Sequence, residues 1–182
     1  MADRSCNSLI ALGAFALIIA TEPSYRDPLY DYSLTWIPQI QAGASSTKQT
    51  AWDLYSDIAL YGVLLLSILI SLVGRTERSR ACYYALSVSV YVTFNNMLKL
   101  SYADPRPFWS SDDVQAFHCS SEYGNPSGHT MIGAGLPLLI ALDFIADYVT
   151  ETAEKARILA GTLAFGASVG YSRLFLGVHG LN

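Results

Sequence analysis

Charge is what this chain has least of. Only 14% of its residues are Asp, Glu, Lys or Arg, against roughly 25% in ordinary soluble domains, while 52% are hydrophobic. The net charge of −4 leaves no basic surface for nucleic acid, and there is no nucleic-acid motif, low-complexity tract or internal repeat. Cysteine is also scarce. Cys6, Cys82 and Cys119 are odd in number and far apart, which excludes a disulfide framework and a zinc site and leaves packing or free thiols. No cluster of metal-ligating residue types stands out, and nothing divides residues 1–182 into two domains.

The few charges fall between apolar runs, the pattern of a chain that crosses a membrane several times. Residues 58–74 and 81–98 carry none, and neither do 127–142 and 158–172. Aromatic residues at their ends (Trp52, Tyr55, Tyr83, Tyr148 and Tyr171) extend these cores into the interface. The expected architecture is an all-α bundle with spans near 8–20, 55–74, 81–99, 127–147 and 157–172. The run 8–20 is read as a retained span, with a cleaved signal flanked by Arg4 as the alternative. Residues 21–53 are polar and read as an interfacial loop, with room for a short helix lying on the membrane.

Cations set the orientation. Arg4, Arg75, Arg78, Arg80, Lys155 and Arg157 fall on one side, which the positive-inside rule makes cytoplasmic. Loop 100–127 and the segment after 172 then share the opposite face. Lys99, Arg106 and Arg173 lie on that disfavoured side and need another reason to be there. Lys99 ends a span, with Asn95 and Asn96 one turn back on its face. Arg106 is held between Pro105 and Pro107, which restrict the backbone and aim the guanidinium.

The stretch PSGH, 126–129, opens the next apolar run. Pro126 suits a first helical turn, Ser127 and Gly128 leave free amides at a positive dipole end, and His129 stands beside whatever those amides hold. The run 158–172 returns to the same face and delivers Arg173 and His179. Gly166 and Gly170, four apart, allow that helix to pack closely on a neighbour. Three cations, a helix N-terminus and two imidazoles at one membrane boundary make a phosphate site with its own proton chemistry.

Lys-x6-Arg-Pro (Lys99 to Pro107), Pro-Ser-Gly-His (126–129) and Ser-Arg-x5-His (Ser172 to His179) resemble the three signature motifs of the type 2 phosphatidic acid phosphatase and vanadium haloperoxidase superfamily. The resemblance runs from about residue 55 to the C-terminus. It implies a six-helix membrane bundle with its site on the non-cytoplasmic face, the last helix lying beyond this chain. It implies His179 as nucleophile, forming a phosphohistidine, and His129 as the acid that protonates the leaving oxygen and then helps to activate water. It implies Lys99, Arg106 and Arg173, with Ser127 and Gly128, as the phosphate cradle, without a metal or other cofactor. In the family an Asp four residues after the nucleophile orients it; this chain stops at Asn182.

The expected function is a membrane phosphatase for a phosphomonoester or pyrophosphate of a lipid or small amphiphile. Phosphatidate, sphingoid-base phosphates, polyprenyl pyrophosphates and a sugar phosphate are the candidate substrates. Partners beyond lipid bilayer and substrate are not implied, and the expected location is the endoplasmic reticulum or plasma membrane. The alternatives are a non-catalytic membrane subunit or transporter retaining the fold, and a soluble haloperoxidase, which the charge-free spans oppose. His118 and Cys119 are read as loop residues with a structural or surface role rather than a catalytic one, a lid role being the alternative, and Asp112 and Asp113 as solvated. Asp143 is read as lying at the far end. Phe108 and Trp109 either wall the pocket or anchor at the interface.

Overall fold

A computed structural model describes residues 2–73 and 78–182. Residues 1 and 74–77, and the side chains of 2–15, 19, 70–79 and 81, lie outside the described residues. The side chains of Cys6, Arg4, Arg75 and Arg78 are therefore not placed. The chain is all-α: α1 (Ala2–Gln41), α2 (Ser46–Asp57), α3 (Val63–Val73), α4 (Arg78–Tyr102), the short α5 (Pro107–Ser110), α6 (Gly128–Tyr148) and α7 (Thr152–Phe175). A π-helical turn, Ile58–Gly62, joins α2 to α3 in one rod. Among the described residues, three stretches are long and apolar enough to cross a membrane: Ser46–Leu69, Gly128–Tyr148 and Thr152–Phe175. Helix α4 has the length, but Ser87, Ser89, Thr93, Asn95 and Asn96 make it more polar.

The region expected to be an interfacial loop is not one. Helix α1 continues through Pro23, Pro28 and Pro38 to Gln41. Tertiary contacts outweigh the prolines there. Ile37 is buried with Val114 and Leu174. The Gln41 amide donates to the carbonyls of Gln115 and Phe175 at 2.8 and 2.9 Å and accepts from the Gln115 N–H at 2.9 Å. Ser33, also buried, accepts from the Leu181 N–H at 2.7 Å. The next helix begins at Ser46, ahead of the expected residue 55, because Ser45 caps it by accepting from the Lys48 N–H.

Helices α6 and α7 form an antiparallel pair whose close approach follows from small residues. A Cβ placed on Gly166 would stand 2.7 Å from the Ala134 Cβ, inside any real contact, and one on Gly170 would meet Thr130 at 3.6 Å. The remaining wall is α4, whose Tyr84 is buried with Val63 and Leu136. Leu65, Leu66 and Ile68 of α3, and Leu86, Val90 and Met97 of α4, are left exposed on the outside. Apolar side chains therefore lie on both the inner and outer faces, as a helix in lipid requires.

Candidate active site

Each motif residue reaches one end of the bundle by a different local device. Lys99 lies in the last turn of α4, 8% exposed, with Asn95 buried one turn back. Asn96, expected on the same face, is exposed: four residues of spacing bring a side chain over Lys99 here and three do not. Arg106 is the N-cap residue of α5, in extended backbone before Pro107. It is 2% exposed. Its Nε donates to the Glu122 carbonyl at 2.6 Å and its Nη1 to the Val178 carbonyl at 2.7 Å. Two main-chain acceptors thus hold the guanidinium plane still.

Helix α6 starts at Gly128, with Ser127 as its cap, so Pro126 stands just before the helix and not in its first turn. The Ser127 oxygen accepts from the Thr130 N–H at 3.3 Å and from the Thr130 hydroxyl at 3.1 Å. A Cβ at position 128 would lie 3.3 Å from the Asn95 Oδ1, a tight approach that would press on the Asn95 side chain. Asn95 is held in turn by donating to the Pro126 carbonyl at 3.2 Å. His129 Nε2 lies 3.5 Å from the Asp57 carboxylate.

Arg173, 3% exposed, closes α7 and donates from Nη1 to the Ser56 hydroxyl at 2.9 Å. Its buried Nε has no hydrogen-bond partner among the described residues. After α7 the chain turns, and His179, 4% exposed, faces back into the bundle. Its Nδ1 makes a short contact with the Gly124 carbonyl, and its Nε2 is 3.4 Å from Arg106 Nη1. A carbonyl can only accept, so the proton sits on Nδ1 and the lone pair on Nε2. Burial first, then the Arg173 and Arg106 charges, hold this imidazole well below its usual protonation range. Burial likewise lowers Arg106, against the Glu122 charge.

Lys99, Arg106, Gly128, His129, Arg173 and His179 line one small cavity of about 220 Å³. Ser127 does not. It lines an adjacent cavity of about 760 Å³ that shares Arg173 and His179 with the first and has Trp36, Met131 and Leu174 in its walls. Phe108 packs beneath the site against the cluster of Phe175, Leu176 and Val178, whereas Trp109 is exposed. Neither lines the small cavity. Among the described residues no group of three His, Cys, Asp or Glu is placed to hold a metal ion.

Sequence reasoning missed several residues that the fold brings here. Asp53 and Asp57 are one helical turn apart on α2; Asp53 lies 3.0 Å from His118 Nδ1, in an alignment that falls short of a hydrogen bond. His118, read as a loop residue, lines the small cavity. Glu122 receives a hydrogen bond from Lys99 Nζ at 2.5 Å. The available signal was the pair of carboxylates four apart at the start of an apolar helix. Other residues lie where expected: Asp112 and Asp113 are exposed, Cys82 and Cys119 are free, and Asp143 accepts from Tyr84 at the opposite end.

A family model described as the PAP2 superfamily matches residues 80–182. No curated protein matches the sequence. Among solved structures, the chain is similar to the crystal structure of the first transmembrane PAP2 type phosphatidylglycerolphosphate phosphatase from Bacillus subtilis. The TM-score is 0.73 at 16% identity, over 93% of this chain and 84% of that one.

Proposed function

Because the chain belongs to the PAP2 superfamily, we propose that it is a membrane phosphatase acting on a phosphomonoester or pyrophosphate of a lipid or small amphiphile. The observation that carries this reading is the state of His179. Its Nε2 lone pair faces Arg106 in a cavity that Lys99 and Arg173 also line.

The substrate's equatorial oxygens take Lys99, Arg106, Arg173 and the Gly128 N–H, where charge spreads in the transition state. Arg173 Nε, buried without a partner, is a donor ready for one of them. Ser127 adds its hydroxyl proton from the edge of the larger cavity. His179 Nε2 forms a bond to phosphorus as the ester oxygen leaves, and His129, steadied by Asp57, gives that oxygen its proton. The Gly124 carbonyl stabilises the charge that His179 gains. Water, deprotonated by His129, then displaces the imidazole and releases phosphate. Fixed cations take the role a metal ion fills in other phosphatases.

The larger adjoining cavity, with its apolar wall, suits a substrate tail. The side of the membrane is argued from charge: Arg80, Lys155 and Arg157 sit at the end away from the site, which makes the site non-cytoplasmic. A cysteine placed in 112–113 should then react with an impermeant thiol reagent from the lumenal or external side; protection there reverses the orientation.

The deciding experiment is rapid-quench trapping with labelled substrate in excess chelator. Acid-labile label should map to His179 and be absent from His179→Ala. Label on a serine or aspartate, or dependence on added magnesium, refutes the mechanism. Orthovanadate should inhibit by occupying the same cradle.

A further inference from the structure

The segment Glu122–Gly124 straps the site, and its backbone is tightly fixed. The Gly124 N–H donates to the Asp104 carbonyl at 2.8 Å, and a Cβ on Gly124 would stand 2.7 Å from the Pro105 carbonyl oxygen. The Glu122 carbonyl holds Arg106, and the Gly124 carbonyl holds His179. One part of the strap is free to leave. The Glu122 side chain is 66% exposed, yet its carboxylate sits 2.5 Å from Lys99 Nζ, which is buried. The hydrogen bond and charge of Lys99 keep that carboxyl below its usual range, so it stays anionic.

An anion on Lys99, at the rim of the small cavity, occupies a position that a substrate oxygen needs. We propose that Glu122 is a specificity-determining residue, a tethered internal occupant of the Lys99 site that disfavours substrates carrying a second anionic group beside the reacting phosphoryl. The inference rests on the phosphatase reading above. A phosphoryl group entering the cradle takes over Lys99 and pushes the carboxylate outward. The fixed strap keeps the displaced carboxylate at the mouth, where the group next to the reacting phosphorus must lie. A neutral ester alcohol meets it without penalty, and a second phosphate meets a like charge. Glu122 also weakens every phosphate by competing for the lysine.

The test compares an alkyl phosphate with the diphosphate of the same alkyl chain, in wild type, Glu122→Gln and Glu122→Ala. Both substitutions leave the Glu122 carbonyl that Arg106 uses. Each should move the kcat/KM ratio about tenfold towards the diphosphate, chiefly through KM. Inhibition by inorganic phosphate should strengthen in both variants. Because the carboxylate is exposed, raising ionic strength should move the wild-type ratio the same way, which reads the effect without any substitution. A ratio that stays put or moves towards the monoester in both variants, with an active wild type, overturns this inference alone. A wild type that hydrolyses neither compound overturns the phosphatase reading, and this inference with it.

Discussion

The two ends of the bundle treat charge in opposite ways. At the far end Arg80 pairs with Asp147 and Asp143 accepts from Tyr84; the first pair is partly exposed. At the site end Lys99, Arg106, Arg173 and His179 are nearly buried, and each is held by a carbonyl, hydroxyl or carboxylate. Exposed charge at a membrane boundary is cheap and serves as an anchor. Buried charge is costly unless it is paired, so cations collected in a cavity signal work beyond folding.

Substitution at the proposed nucleophile should separate the ends most. His179→Ala should reduce turnover by about a thousandfold or more in a full-length membrane preparation, measured as phosphate release. Next come the arginines. Arg106→Lys and Arg173→Lys keep the charge but lose forked donors, and each should lower kcat/KM by about 10²-fold. Near-wild-type rates in folded protein would reduce both to anchors, like Arg80.

Asp57 tests a contact the sequence did not reveal. Asp57→Asn should reduce kcat by about tenfold and shift the acid or base limb assigned to His129, because the substitution keeps the shape and removes the charge. A change in thermal stability with an unaltered pH profile would mean the residue is only structural.

The pH dependence is smaller and its sign follows from burial. His179 is held below its ordinary value of 6.5 in the folded protein. The folded state thus binds fewer protons than the unfolded one, and this contribution is present above 6.5 and lost as pH falls. The wild-type unfolding midpoint in detergent should drop between pH 6.5 and 5 more than that of His179→Gln. The least effect belongs to Arg80→Ala, which should leave kcat and KM unresolved from wild type; a lost cradle activity there would erase the contrast between the ends.

Three apolar spans were legible because lipid imposes a simple rule on composition. A stretch such as 158–172 without charge can only be buried or in hydrocarbon, and α7 covers it. Gly166 and Gly170 were legible for a similar reason, since removing two side chains from one face invites a neighbour. The polar half of α1 misled because local signals there, Pro23, Pro28 and Pro38, point away from a helix. Ile37 and Gln41 find partners at Val114, Gln115 and Phe175, and nothing in the surrounding sequence announces them.

Residue chemistry and spacing pointed Lys99, Arg106, Ser127, His129, Arg173 and His179 to one boundary, because the apolar runs beside them have few ways to cross, and all of these but Ser127 line the small cavity. Only the tertiary structure decided what surrounds them. Ser127 turned to cap its own helix, α2 arrived with Asp53 and Asp57, and Gly124 presented a carbonyl to His179. Glu122 settled on Lys99. These contacts join segments with no shared periodicity, and main-chain carbonyls carry no residue identity at all. Their partners are set by how the helices and the loop 103–127 pack, which local pattern cannot encode.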